Sequence, residues 1–560
     1  MKKKFSVLGL LGVMLLAIGA GARAEAPAVL AIQGARIVPV SGPVLEKGTV
    51  VVRDGLIEAV GASVPIPADA RVLDGSGLTV YPGLIDALTD LGLPQTSAPA
   101  AVRTGGGGAP GLGTPGVVVQ TVRPAQETPS RDRASVSSYV RAADLVVAGG
   151  TRIEEARRAG ITAALVAPPR GIFSGQSAVI SLGDNSRDLV VRTPVAMHVG
   201  LSAGGGFREF PGSLMGVMAH ISQTLLDALH QQQAWSVYSK NKRGVRRPAT
   251  DRALEALLPV VDGTLPLVVT ASQDFEIARA VALAEKHKVK IILSGGQEAG
   301  KTSSLLKSKN IPVLVSLNFP ERERDVAPDF DETLAQLRRR VEAPQNVVAL
   351  HKGQIRFAFY SDGLSNPRDF VRNAGRAVQA GVPADAALRA LTLSAAEILG
   401  VDAQLGSVES GKIANLVVTD GDLFAERTRI KYVVVDGKTY DVPAETPRPT
   451  GGPAAAPTVD VTGRWSGTAE TQQGTQPFSI ELVQQGETLT GTVSSPTRGT
   501  TDIQTGTISG SEVRFKASIP VAERTVEASF VATISGQELR GTITLGSDAA
   551  VPFTARKEPR

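Results

Sequence analysis

The sequence predicts an α/β protein: a (β/α)8 TIM-type barrel inserted in a small composite β-sandwich, with a C-terminal all-β domain after it. Three observations carry this prediction. Short apolar runs alternate with helical stretches over residues 81–402, the pattern of βα units around a parallel sheet. β-textured segments with Asp-Gly turns flank that stretch, at 25–80 and 403–442, so two distant pieces of chain can complete one small sandwich. From 458 to 560, strand-like runs recur about every ten residues with glycine between them. A chain of 560 residues is too long for one ordinary domain. Its 42% hydrophobic and 20% charged residues are the make-up of a folded protein.

The first 24 residues read as a signal peptide. Lys2, Lys3 and Lys4 precede an apolar run from Phe5 to Ala20, and Ala22-Arg23-Ala24 is a small-x-small cleavage site. Cleavage after Ala24 removes four cations and leaves +1 of the formal +5. An exported protein, periplasmic or secreted, is expected. No second run approaches membrane length, so no stable membrane span is expected after cleavage. A basic nucleic-acid surface is not supported by the remaining charge. Cysteine is absent, which excludes disulfides, thiolate metal sites and cysteine nucleophiles.

The elements follow in order. Ala31–Val38 reads as a strand, and Gly48–Gly61 as a hairpin turning at Asp54-Gly55. In the barrel, Ile161–Val166 follows a helix ending in Arg157-Arg158-Ala159-Gly160, and Leu267–Val269 precedes a helix over Phe275–His287. Val289–Leu293, Val313–Val315 and Ile355–Phe359 continue the alternation. Residues 94–132, with Gly105–Gly108, interrupt it as a long flexible insert. Pro168–Ala178 reads as a βα loop at the barrel mouth. There Ser174, Gln176 and Ser177 offer a ligand hydrogen bonds, and a tight turn is the plainer alternative. Asn415–Val418 and the hairpin Tyr432–Lys438 return to the sandwich, and residues 443–457, rich in Pro and Ala, form a linker. In the last domain Thr488–Val493 and Leu539–Thr544 share a Leu-x-Gly-Thr pattern that marks a repeated hairpin.

Gly295–Thr302 fits the phosphate-loop pattern G-x-x-x-x-G-K-[ST]. The next strand, Val313–Ser316, ends without the Asp that would help hold Mg2+. We therefore read it as a glycine-rich βα loop.

Tyr81-Pro82-Gly83-Leu84-Ile85-Asp86 resembles the P-G-x-I-D signature that opens the barrel of the amidohydrolase superfamily. Leu405–Val417 is similar to that family's return to its sandwich, with Asn415 in place of the usual Asp. Ala387–Thr392 and Ala395–Gly400 resemble the helices before it. The resemblance covers about 29–440, and the imidazolonepropionase-like branch is the nearest. It implies a hydrolase of non-peptide carbon–nitrogen bonds, such as cyclic amides. One or two divalent metals would polarise a carbonyl and activate water, held by His nitrogens and an Asp.

Most of those ligand positions are replaced. Leu88 and Asp90 stand where the family has His-x-His. Thr270-Ala271-Ser272 occupies the fifth strand end, and Gly295-Gly296-Gln297-Glu298 the sixth, where the family has H-G-T-E. Ser361-Asp362-Gly363 keeps the Asp of T-D-S. The fourth-strand Lys has no clear counterpart, and Ala196 or His198 lies near its place. Only five histidines exist. His220, His230, His287 and His351 lie in helical or connecting stretches, which leaves His198 as the site candidate.

The candidate catalytic residue is Asp362, and the candidate ligand-binding residues are Asp86, Asp90, His198, Thr270, Ser272 and Gln297. Asp90 and Asp362 are the metal candidates if a metal binds at all. Carboxylates without His suit a hard cation such as Ca2+ or Mg2+, or an acid/base pair. The cofactor stays open. Two readings remain. One is a hydrolase with a rebuilt site. The other is a catalytically degenerate member that binds a small molecule or peptide at the barrel mouth, or an envelope component through its C-terminal β domain.

Overall fold

The computed structural model describes residues 29–94, 135–169, 171–184, 189–201, 211–322, 332–364, 366–443, 460–471, 474–496, 499–521, 524–545 and 551–558. The signal peptide expected at 1–24, the insert expected at 94–132 beyond its first residue, and the linker expected at 443–457 beyond its first residue lie outside the described residues. Contacts divide the chain into two units, 1–444 and 445–560.

In chain order the first unit begins with β1 (Val29–Ile37), β2 (Leu45–Arg53), β3 (Leu56–Gly61), β4 (Arg71–Asp74) and β5 (Thr79–Pro82). Next come β6 (Leu84–Thr89), β7 (Ile161–Val166), β8 (Phe173–Gln176), β9 (Ala178–Ser181), β10 (Val190–Arg192), β11 (Met197–Gly200), β12 (Leu267–Ala271), β13 (Ile291–Gly295), β14 (Val313–Ser316) and β15 (Phe357–Tyr360). It ends with β16 (Leu416–Thr419), β17 (Ile430–Val435) and β18 (Lys438–Asp441). The flanking pieces meet through antiparallel β16–β5 pairing, Leu416 opposite Pro82 and Thr419 opposite Thr79. They form one eight-stranded hydrogen-bonded sheet, β18-β17-β16-β5-β1-β2-β3 with β4 on β1. Both Asp-Gly hairpins form: Asp54, Gly55, Asp436 and Gly437 all have positive φ, the conformation a two-residue hairpin of right-twisted strands requires.

The middle strands differ from a regular (β/α)8 ring at the third unit. Among the described residues no helix lies between β7 and β8. The segment Phe173–Ser181 runs back antiparallel, β9 on β7 and β8 on β11, and Ser177 exchanges backbone bonds with Ala196 and Val195. This one segment joins the sheet β10-β9-β7-β6 to the sheet β15-β14-β13-β12-β11-β8. The second half of the stretch Pro168–Ala178, expected as a mouth loop, is therefore strand over Phe173–Gln176 and again from Ala178. Two of its polar side chains are engaged: Gln176 Nε2 donates to Ser138 O (3.3 Å) and Ser177 Oγ to Ala196 O (3.2 Å). At the other side of the ring β15 lies against β6 without a ladder.

Alternation fixes what each strand face covers. Ile85, Ala163, Val268, Ile292, Leu314 and Ala358 pack as one cluster. Their strand neighbours Leu267, Val269, Leu293, Val313 and Phe357 pack with helix residues such as Ile277, Ala280, Val347 and Phe370. The period of two sends successive side chains to opposite faces. The glycine of Pro82-Gly83 has a packing reason. A Cβ there would fall well inside contact distance of the Thr162 side chain, so Gly83 is what lets the turn into β6 approach β7.

The second unit is a closed antiparallel barrel of β19 (Gly463–Thr471), β20 (Gly474–Gln485), β21 (Thr488–Ser495), β22 (Gly499–Ser509), β23 (Glu512–Val521), β24 (Arg524–Ser535), β25 (Glu538–Leu545) and β26 (Val551–Lys557). Closure removes every free sheet edge. Trp465, Leu482, Phe515, Phe530 and Phe553 belong to its core. The hairpin repeat seen in the sequence is structural: Gly491 faces Leu482 and Gly541 faces Ala532 at equivalent positions of β20–β21 and β24–β25. A Cβ at Gly541 would overlap the Val531 carbonyl oxygen, and one at Gly491 the Glu481 carbonyl oxygen. Gly541→Ala is therefore expected to destabilise this barrel by about 1–3 kcal/mol. Denaturation followed by Trp465 fluorescence in a Trp235→Phe background would show it, because the chain has two tryptophans.

Candidate functional site

The C-terminal ends of β12 and β13 open on a cleft of about 340 Å3. Thr270 and Ser272 come from β12 and its end, and Gln297 from the loop after β13. Arg279, Arg339 and Glu342 reach it from the helices Asp274–His287 and Leu334–Lys352. Three residues named from the sequence thus share one cleft. Thr270 Oγ1 lies 3.1 Å from Ser294 Oγ. The backbone N–H groups of Ser272 and Gln273 donate to Glu276 Oε2 (2.9 and 3.0 Å). That carboxylate is thereby committed to capping its helix. Glu298 accepts from Lys301 Nζ (2.8 Å), and this bond holds its carboxyl below the usual range. The phosphate-loop look-alike is occupied by its own chain. Gly300 N donates to Asn346 Oδ1 (2.7 Å), and Asn346 Nδ2 donates to Gly296 O (2.8 Å).

Asp86 and Asp362 form a second group, at the β6/β15 seam. Asp86 is fully buried. Its Oδ1 accepts from Ser361 N (2.9 Å) and Leu88 N (3.4 Å), while Oδ2 is buried with no partner. Burial pushes its carboxyl up to about 7. The Ser361 and Leu88 hydrogen bonds oppose the rise, and the charge of Asp362 adds to it. Asp362 Oδ2 accepts from Ser316 Oγ (2.8 Å), and its carbonyl accepts from Asn318 Nδ2 (3.1 Å). Tyr360 is raised well above the ordinary phenol range, first by burial and then by both carboxylates, so its hydroxyl keeps its proton.

Asp90 and His198 play other parts. Asp90 Oδ1 accepts from Arg152 Nη2 at 2.5 Å. His198, on β11, is buried, its Nε2 has no partner, and burial alone pushes it down to about 3. It is a neutral imidazole at physiological pH. Ser294, Ser316 and Tyr360, not singled out from the sequence, follow the same inward alternation. Their signal was a polar residue ending each apolar run, as in Ile291-Ile292-Leu293-Ser294 and Val313-Leu314-Val315-Ser316.

The donor set does not fit the metal centre implied by the resemblance. The Asp90 carboxylate is taken up by a guanidinium, and the strand ends β12 and β13 supply hydroxyl and carboxamide groups rather than imidazoles. Among the described residues no three His, Asp or Glu side chains converge as a metal-binding group.

Residues 213–440 match the family model described as "Amidohydrolase family". A dihydroorotase of Anaeromyxobacter dehalogenans (strain 2CP-C) is 40% identical over 77 residues, 14% of this chain and 18% of that relative; the chain thus spans under a fifth of its length. A solved amidohydrolase from Thermotoga maritima MSB8 superposes with TM-score 0.59 at 24% identity, over 73% of this chain and 99% of its own; the two share a fold. A prolidase bound to N-methylphosphonate-L-proline gives TM-score 0.43 at 16% identity, over 74% of this chain and 99% of its own.

The Asp86 shift fixes a pH dependence. Its folded-state value lies above the unfolded one, so the folded chain holds the extra proton and this contribution is fully present below about pH 4. It is lost as pH rises through about 7. Asp86→Asn keeps an acceptor for Ser361 N and has no proton to lose. Its stability should fall less than wild type between pH 5 and 8, by at most about 4 kcal/mol from a shift of about three units. Urea denaturation at several pH values measures the difference.

Proposed function

Residues 213–440 match the amidohydrolase family model, and from that premise we propose that the chain is an exported, catalytically degenerate member of the amidohydrolase superfamily that binds a small polar molecule or peptide at its barrel mouth. The carrying observation is the cleft at the ends of β12 and β13, where Thr270, Ser272 and Gln297 present uncharged hydrogen-bonding groups. Hydroxyls and a carboxamide match the donor and acceptor pattern of an amide. They do not supply the Lewis acid that hydrolysis of the same amide uses in the family. Export rests on the basic, apolar and small-x-small order of residues 2–24.

One observation favours a second reading, hydrolysis of a cyclic amide carbon–nitrogen bond. The Asp86 carboxyl, held near 7, sits in the range where a side chain both takes and returns a proton, and a dihydroorotase is among the relatives.

The readings separate experimentally. Protein purified without chelator is analysed for metal, then titrated calorimetrically with dipeptides, N-acyl amino acids and cyclic amides. The first reading expects binding without turnover, weakened about fivefold by Gln297→Ala or Thr270→Ala, as loss of one good hydrogen bond costs about 1 kcal/mol. One equivalent of divalent metal, lost in Asp90→Ala/Asp362→Ala together with turnover, would establish the second.

A further inference from the structure

The segment at and after the end of helix Leu214–Lys240 concentrates positive charge with no anion beside it. Lys240, Lys242, Arg243, Arg246 and Arg247 fall within eight residues, and no Asp or Glu occurs between Asp227 and Asp251. Every residue from Lys240 to Arg247 is exposed. Among the described residues none of these five cations has a carboxylate partner. Outside this segment and residues 1–24 the formal charge is −4, so the segment is a positive pole on a mildly acidic body.

The cations form a cap rather than a trailing tail. Arg247 returns to the helix end, its guanidinium 5.8 Å from the Trp235 ring, and Trp235 meets Tyr238 edge-on at 5.9 Å. Val237 and Val245 stand exposed at 58% and 38% in the same patch. Apolar side chains among unpaired cations cost free energy in water. They are accommodated where anionic headgroups meet acyl chains.

We infer that this patch is a peripheral docking surface for an anionic lipid bilayer. Unpaired Lys and Arg supply the attraction to the headgroups, and Val237 and Val245 enter the headgroup–acyl boundary. A nucleic acid would satisfy the cations but offers the valines nothing, and the Trp235 ring is already covered by Arg247 and Tyr238 rather than open for base stacking. Among the described residues no helix is long and apolar enough to cross a membrane, so contact through this patch is interfacial.

The test uses the full chain and phosphatidylcholine vesicles with and without phosphatidylglycerol, read by cosedimentation at low and high salt. Lys2, Lys3 and Lys4 are present in every protein compared, so differences between variants report the patch. Binding should require phosphatidylglycerol and weaken with salt. It should fall about tenfold or more in Lys240→Gln/Lys242→Gln/Arg243→Gln/Arg246→Gln/Arg247→Gln, with an unchanged far-ultraviolet spectrum showing that the variant is folded. Val237→Ser/Val245→Ser should weaken vesicle binding and leave retention on single-stranded DNA unchanged. Equal binding by wild type and the five-fold variant would overturn the inference. So would a wild type that binds single-stranded DNA but not the anionic vesicles.

Discussion

A buried carboxylate spans the seam where two neighbouring strands of the first unit lack a ladder. β6 and β15 lie side by side without pairing, and Asp86 reaches from one to the N–H of Ser361 beyond the other. A hydrophobic side chain there would leave that N–H without its carboxylate, a penalty of about 1–3 kcal/mol if it found no other partner. The carboxylate removes that penalty at its own cost, since burial disfavours its charge and Asp362 repels it. The proton it holds to near neutrality records that balance. Ser316 and Asn318 then tie Asp362 and its positive-φ turn to β14, so the eighth strand end, the seam and the seventh strand form one hydrogen-bonded unit.

The opposite side of the ring is held by another device. Phe173–Ser181 takes the third position in reverse and bonds to β7 on one flank and β11 on the other. With one side stitched by an antiparallel strand and the other by a carboxylate, the mouth between them is built from β12 and β13, whose ladders are regular and parallel. The polar cleft sits on that regular part. Its floor is neutral, and the carboxylates around it are engaged: Glu276 with a helix start, Glu298 with Lys301, and Glu342 3.9 Å from the same Lys301. What is left to meet a ligand are hydroxyls, a carboxamide and guanidinium groups, a set suited to recognition of a polar molecule.

Much of the fold was legible because its causes are local. Ile161–Val166 is apolar but for Thr162, flanked by a helix end and two prolines, and it forms the strand over those residues. Asp54-Gly55 and Asp436-Gly437 adopt the positive φ that such pairs tolerate. Gly491 and Gly541 carried the repeat in plain sequence because only glycine lets the neighbouring carbonyl come so close. The site was legible in part. Thr270, Ser272 and Gln297 follow from counting strand ends, and they do share a cleft.

By itself, then, the sequence determined the kinds of element, the hairpin turns, the repeat in the C-terminal barrel and the loss of imidazoles at the strand ends, since each depends on neighbours a few residues away. Only the tertiary structure decided the rest. Pro168–Ala178 read as a loop, yet Phe173–Gln176 within it is a strand because two edges needed a partner, and pairing direction is a property of three strands at once. Asp90 read as a possible ligand, but Arg152, 62 positions away, takes its charge. Asp86 read as one of several acids at the mouth. Burial and an N–H 275 residues distant make it the closure of the ring, because solvation and long-range hydrogen bonding are set by what the folded chain brings together and not by the order of its residues.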